Sequence, residues 1–356
     1  MSAPAAIAQP QSAQPWDAPG LFPAQHLRHA IAQGWVRGAD MARVQPASLD
    51  LALGDVAHRV RASFLPGEGR SVEDALEDVR LHTLSLAGGA VLETGAVYLI
   101  PLAESLALPE GVEGLANPKS STGRLDVFTR VIGDRAARFD HLPAGYGGPL
   151  WVEVAPRTFP VLVRPGAALV QLRLRRGALQ RLRTEEVGID LLGPGGAGWG
   201  EGGRVGFRAR RHSGVVDVRG VGADGAGLHA ARDFWDPLFA PEGQLVLDPD
   251  EFYILASRES VSIPAGEAAE MAPVAPEIGE FRAHYAGFFD PGFGVGAQAR
   301  AVLEVRGRDV PFLLRHGQPV ARLLFEPLQA EPDALYGRGG GNYQGQGLKL
   351  GKHFRE

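Results

Sequence analysis

Cysteine is absent from the 356 residues. With it go disulfides and every Cys-ligated zinc or iron–sulfur site. Long apolar runs are absent too: nothing approaches the ~18 residues that a membrane-spanning helix needs. The opening MSAPAAIAQPQSAQPW has neither the basic start nor the apolar stretch of a secretory signal. A cytoplasmic protein without a membrane partner is therefore expected. Surplus positive charge is missing as well: 36 Lys+Arg stand against 41 Asp+Glu, a formal net charge of -5. That argues against a nucleic-acid partner held by net charge, and leaves room for a local basic cluster that takes a small anion. Histidines are few and scattered. His26 and His29 lie on a helix candidate with no carboxylate–histidine pattern around them, so no metal ligand is expected from protein side chains.

Turn formers, by contrast, abound. Gly 48 and Pro 27 make up about a fifth of the chain, which favours short strands and many turns over long helices. One helix is expected from about Pro23 to Gly34, with Leu27, Ala30 and Ile31 on one face. From Ser48 onward, runs such as AVYLIPL (96–102), PLWVEV (149–154) and ALVQLRL (168–174) are short and apolar or alternating. The fold class expected is mainly β, a sandwich or barrel with few short helices.

The second half echoes the first. Tyr98 matches Tyr253, Glu104 matches Glu259, Ser105 matches Ser260 and Pro109 matches Pro264, an offset of 155 throughout. Further on, WVEV (151–154) matches VLEV (302–305) and FPVLVRPG (159–166) matches VPFLLRHG (310–317), at an offset of 151. SLDL (48–51) finds a weaker echo in VVDV (215–218). Two tandem β-modules are expected: a disordered tail over 1–20, a first module over 21–192, a Gly-rich flexible linker over 193–205, a second module over 206–330 and a C-terminal tail over 331–356.

Four segments carry candidate chemistry. Lys119-Ser120-Ser121-Thr122-Gly123-Arg124 puts two cations and three hydroxyls at a turn, a mixture that suits phosphate oxygens or a merely solvated turn. Glu153 and Glu304 each interrupt an apolar strand. Such a carboxylate is either half-buried and able to act as a general base, or turned to solvent at a sheet edge. His284-Tyr285-Ala286-Gly287-Phe288-Phe289-Asp290-Pro291-Gly292-Phe293 reads as a hairpin that either holds a flat base or simply packs well. The tail after Gly337 is Gly-rich, aromatic and basic, suited to disorder or to folding over a phosphorylated ligand.

In order and number these segments resemble the dCTP deaminase branch of the dUTPase-like superfamily. The turn 119–124 is similar to that family's Arg-Ser-Ser-x-x-Arg phosphate motif, with Lys119 in place of the first Arg. Ala286 to Phe293, followed by Val302-Leu303-Glu304, is similar to its base-binding hairpin and catalytic strand, and Asn342 to Gly347 to its nucleotide-covering tail. The resemblance implies dUTPase-like β-barrel or jelly-roll modules, usually in a homo-oligomer, with the site between modules. It implies zinc-independent deamination of dCTP to dUTP and ammonia, with magnesium on the triphosphate. On this reading Glu304 is the general base. Ser120 and the carbonyl of Ala286 hold the attacking water, and Arg124 completes the catalytic set. Lys119, Ser121, Asp290, Val302, Tyr336, Tyr343 and Gln346 complete the nucleotide contacts.

Each module keeps only part of the pattern. The first has the Ser-Ser turn, but Ala137 to His141 lacks Asp-Pro-Gly. In the second, Ala272-Pro273-Val274-Ala275-Pro276-Glu277 stands where the phosphate turn would be. A composite site using Glu304 is expected, with Glu153 a relic held by Arg138 or Arg157; a site using Glu153 is the runner-up. dUTP diphosphatase or bifunctional activity, and a non-catalytic nucleotide-binding protein, are the alternatives.

Overall fold

The structure, a computed structural model, describes residues 15–274, 281–283, 287–338 and 343–356. It is mainly β, with three short α-helices, Ala24–Ala32, Val72–Glu77 and Ser120–Gly123. The first of these lies inside the expected span. It buries Leu27 and Ala30, and its chain turns away at Gly34, where φ is 74°.

The first half forms two main sheets, with a smaller one in which Ala90–Leu92 pairs with Val161–Val163. In one main sheet, Val170–Arg176 lies between Val112–Pro118 on one side and Gly20–Leu21 and Leu49–Leu51 on the other. In the other, the long strands Val97–Ala107 and Gly147–Pro156 pair along their length, flanked by Val56–Val60 and Val127–Gly133. The second half centres on Phe252–Ser260, paired with Arg300–Gly307, and on Pro319–Pro327, paired with Glu267–Pro273.

Strands at the expected offsets make matching bonds. Tyr98 Oη accepts from the Glu93 N–H at 3.1 Å, and Tyr253 Oη accepts from the Asp248 N–H at 2.8 Å. The Glu104 carboxylate accepts from the Ala52 N–H at 3.0 Å, and Glu259 accepts from the Gly188 N–H at 2.7 Å.

That last pair corrects three expectations. Leu49–Leu51 pairs with Val170–Arg176, so its counterpart is the strand paired with Pro319–Pro327, which is Arg183–Asp190. Val216–Asp217 instead lies parallel to Val161–Val163, so the SLDL–VVDV echo has no structural meaning. The second module thus begins at Arg183, ahead of the boundary at 192. The Gly-rich segment is a loop inside that module, with glycines at positive φ from Gly193 to Gly203, and no interdomain linker. Its Trp199 packs so close to Gly347 that a Cβ there would clash with the indole. The first residues after 14 are also not a free tail: Trp16 stacks on His29 with ring centroids 3.7 Å apart.

Alternation explains how the halves join. Along Arg300–Gly307, Ala301, Leu303 and Val305 face their own core, while Val302 joins the first half's core. Phe252 and Ile254 cross over likewise, as do Phe207, Phe234, Trp235, Leu350 and Phe354. The interface also buries Arg173, which is 2% exposed. It donates to the Ala269 carbonyl at 3.1 Å, the Phe289 carbonyl at 3.0 Å and Asp290 Oδ1 at 3.3 Å, and lies over the Phe288 ring. Removing one partner of such a buried pair leaves a charge uncompensated. Arg173→Met should cost about 3–5 kcal/mol in chemical denaturation, and adding Asp290→Asn should recover part of the loss.

Candidate active site

The Ser-Ser turn is built where strand Val112–Pro118 ends. Lys119 is still extended, Ser120–Gly123 makes one helical turn, and Arg124 caps it. Thr122 Oγ1 donates to the Leu169 carbonyl at 2.7 Å, which pins the turn to the neighbouring sheet. Two residues on, Asp126 is fully buried in the left-handed region with φ 54°. It accepts from Thr158 Oγ1 at 2.6 Å and pairs with Arg306, whose guanidinium also reaches Thr158 Oγ1 at 2.8 Å. Arg306 lies two residues beyond Glu304. The Asp126–Arg306 pair therefore clamps strand Arg300–Gly307 to the turn.

Arg124 is the hub, and it is 2% exposed. Its Nη1 donates to the Lys349 carbonyl at 3.0 Å and its Nη2 to Gln346 Oε1 at 3.0 Å. The guanidinium carbon lies 3.9 Å from the centre of the Tyr343 ring. Its Nε stands 3.8 Å from Glu304 Oε1, an ion pair without a hydrogen bond. Glu304 is 1% exposed, and its Oε2 has no partner among the described residues. Burial pushes its carboxyl up to about 8, the Arg124 charge pulls it down and the Asp126 charge adds a smaller push upward. A buried carboxyl that exchanges its proton near neutral pH, with an unmet oxygen, is equipped for proton transfer.

The second half closes the site. Gly287 sits against Ser120: a Cβ there would lie 2.7 Å from Ser120 Oγ, at a φ of +125° that disfavours any other residue. Beside it is a cavity of about 50 Å³, lined by Ser120, Arg124, Asp290, Val302, Tyr336, Tyr343 and Gln346 with Phe288, Phe289 and Phe293. The tail is fastened over it. Gln346 exchanges hydrogen bonds with the Arg300 main chain at 2.8 and 3.0 Å. Beyond that point Phe354–Arg355 pairs in parallel with His229–Ala230. This anchoring departs from the flexible arm that its glycines suggest: Leu350 and Phe354 are core residues.

Other expected residues lie elsewhere. Lys119 turns to Asp50 and does not line the cavity. Ser121 is buried in the turn, also outside the cavity lining. Ala286 and Asn342 fall outside the described residues. Glu153 is buried in its own half, where Arg130 Nη2 and Nε bond it at 2.6 and 3.1 Å. Arg130 sits opposite Glu153 in the strand register and is capped by the Phe139 ring at 3.6 Å, so it takes the part expected of Arg138 or Arg157.

Four contributors carry little or no signal in the sequence. Arg173 is only a charge in an alternating strand, and nothing in the local pattern marks Asp126 or Arg306. Asn117, whose Oδ1 accepts from the Gly287 N–H at 3.4 Å, carried no signal at all. Among the described residues no three His, Asp or Glu side chains converge as a metal site. No helix among them is long and apolar enough to cross a membrane.

Known proteins bear directly on this arrangement. Residues 18–178 match the 2'-deoxycytidine 5'-triphosphate deaminase (DCD) N-terminal domain, and residues 171–354 match the C-terminal domain of the same description. The crystal structure of a 2'-deoxycytidine 5'-triphosphate deaminase from Agrobacterium tumefaciens superimposes with a TM-score of 0.82 at 49% identity, covering 89% of this chain and 100% of that one. The "dCTP deaminase, dUMP-forming" of Kocuria rhizophila is 34% identical over 112 residues, 30% of this chain and 56% of that protein. The enzyme of the same name from Parafrankia sp. is 32% identical over 162 residues, 44% of this chain and 76% of that protein. The match thus spans little more than half of the Kocuria protein. The two domain matches together run nearly the length of the chain, and on them the chain belongs to the dCTP deaminase family.

Proposed function

We propose that the chain deaminates dCTP, using one site composed of the first half's Ser-Ser turn and the second half's hairpin, strand and tail. The observation that carries this reading is the buried Glu304 carboxyl, with an unmet oxygen, held beside Arg124 under the tail. Glu304 takes a proton from water as the oxygen bonds to C4 of cytosine. It hands that proton to N3, which receives the electron pair of the C4–N3 double bond, then takes the hydroxyl proton as C4=O forms and gives it to the exocyclic nitrogen, so that the C–N bond breaks and ammonia leaves. Ser120 and the Ala286 carbonyl orient the water, as in the family pattern. Arg124, Tyr343 and Gln346 bind the triphosphate, and magnesium comes with it as part of the substrate. No zinc takes part: chelation of zinc with magnesium left in place should not inhibit.

The halves have lost complementary parts of a duplicated site. Glu153 is tied up by Arg130, whose two bonds both engage its Oε1. Because the same chain supplies both halves of the site, a homo-oligomer, although expected for the family, is not needed to complete it. A cavity of about 50 Å³ is too small for a nucleotide. The tail therefore opens to admit substrate and closes for the chemistry.

A second reading adds hydrolysis to dUMP. It is favoured by the names of the Kocuria and Parafrankia relatives. Asp290 would be its water-activating group, and in the closed form that carboxylate is engaged by Arg173. Incubation with dCTP and assay of ammonia, dUTP, dUMP and pyrophosphate separates the two. Binding of dCTP without ammonia would select a non-catalytic protein instead.

Removing the general base should cost about 10²–10⁴ in kcat. Glu304→Gln should show that loss in steady-state ammonia release while Glu153→Gln turns over near the native rate; the reverse pattern moves catalysis to the first half. Arg124→Ala, which removes charge-assisted bonds, should weaken dCTP handling by at least about tenfold in kcat/KM. Glu304 also makes stability depend on pH. Its folded value of about 8 lies above the ordinary carboxyl value of 4.5. The contribution of its protonated form is complete below the ordinary value and lost as pH rises through about 8. The Tm advantage of Glu304→Gln over the native chain should therefore grow between about pH 5 and pH 9. A difference that stays flat across that range would show the carboxyl to be ionised throughout.

A further inference from the structure

Away from Glu304, a cavity of about 430 Å³ opens between strand Gly206–Ala209, the segment around Trp235 and the C-terminal strand. Its rim carries four guanidinium groups, Arg204, Arg210, Arg232 and Arg355, with one carboxylate, Glu356, on the lining itself and Asp236 and Asp233 beside Arg210 and Arg232. Phe207, Trp235 and Pro237 supply an apolar floor. Each arginine is engaged on one side only. Arg204 bonds Glu356 at 2.8 Å and lies over the Phe207 ring. Arg210 bonds Asp236 at 2.7 Å, and Arg355 donates to the Gly227 and Leu228 carbonyls at 3.0 Å. Arg232, 3.9 Å from Asp233, is 88% exposed. A guanidinium has five N–H donors, so most of this capacity is unspent. Two buried donors that belong to the lining residues, Arg204 Nε and Trp235 Nε1, have no partner among the described residues.

Cationic forks on a rim, unmet donors and an apolar floor, in a space of nucleotide size, suit a phosphorylated small molecule. The position of the cavity gives it a consequence. Arg355 belongs to the strand that pairs with His229–Ala230, and the same segment begins with Tyr343 and Gln346 on Arg124. We propose that this cavity is an effector site for a phosphorylated small molecule, and that its occupation holds the C-terminal segment closed over the Arg124–Glu304 site. A ligand bridging Arg355 to Arg204, Arg210 and Arg232 binds the closed form better than the open one, and so shifts the population toward it. By reciprocity, whatever closes the tail at Arg124 tightens the effector site. None of this depends on which reaction the Glu304 site performs.

Calorimetric titration of the full chain with inorganic pyrophosphate and, separately, with ADP tests the site. The two arms decide whether phosphate alone suffices or an organic body is needed. Arg124→Ala, which removes the cation of the substrate site and loosens the tail, should still bind, with a smaller loss than a variant of the rim itself. Arg210→Glu/Arg232→Glu, both on exposed positions, should weaken it by at least about tenfold while circular dichroism and basal ammonia release stay native. Binding lost in Arg124→Ala but kept in the double variant would overturn the site, as would failure of both probes to bind at millimolar concentration. For the coupling, the amides of residues 343–356 should exchange more slowly with the probe at saturation in the native chain and not in the double variant. Unchanged exchange at saturation would overturn the coupling.

Discussion

Burying the Arg124 guanidinium is the constraint on which the rest of the site depends. A charge taken out of water is tolerable only when its hydrogen bonds and countercharge are supplied by the protein. Here no single element supplies them. The tail contributes the Lys349 carbonyl and Gln346 Oε1, Tyr343 covers the guanidinium face, and Glu304 brings the countercharge from the second half. Turn, strand and tail must all be in place for Arg124 to be satisfied. Closing the tail and assembling the site are one event.

The two glutamate strands illustrate how covering, rather than local sequence, decides chemistry. Glu153 and Glu304 occupy matching places in matching strands. The side of the sheet that carries Glu153 is covered by its own half, by Val72, Leu76 and the Phe139 region, and Arg130 across the strand neutralises it. Glu304 is covered by the other half, which brings Arg124 close without a hydrogen bond and Asp126 as a second carboxylate. One glutamate is a settled ion pair. The other is a carboxyl raised toward neutral pH, with an oxygen that has no partner among the described residues.

The tail joins three regions that are far apart in sequence. Its start closes on Arg124, its Gly347 lies under Trp199 of the Gly-rich loop, and its end adds a strand beside His229. A segment with so many glycines can follow this path because glycine permits close backbone approach and left-handed turns, as Gly345 does at φ 66°. Apolar anchors at Leu350 and Phe354 then offset the entropy that those glycines cost.

By itself the sequence determined the parts. Period-two runs and turn residues gave the strands, constant offsets gave two modules, and the Ser-Ser turn, the Asp-Pro-Gly hairpin and Glu304 could be named because their residue types carry their chemistry. The Gly-rich loop reads locally as a linker and VVDV as a repeat, since pairing partners are not written in local pattern. Arg173, Asn117 and the Asp126–Arg306 clamp stayed hidden for the same reason: each matters only through a group more than a hundred residues away. Complementary loss of motifs pointed to Glu304, but its 3.8 Å approach to Arg124 and its raised carboxyl were decided by the tertiary structure alone. A carboxylate's proton affinity is set by the burial and charges that the rest of the chain folds around it, and no stretch of sequence contains those distances.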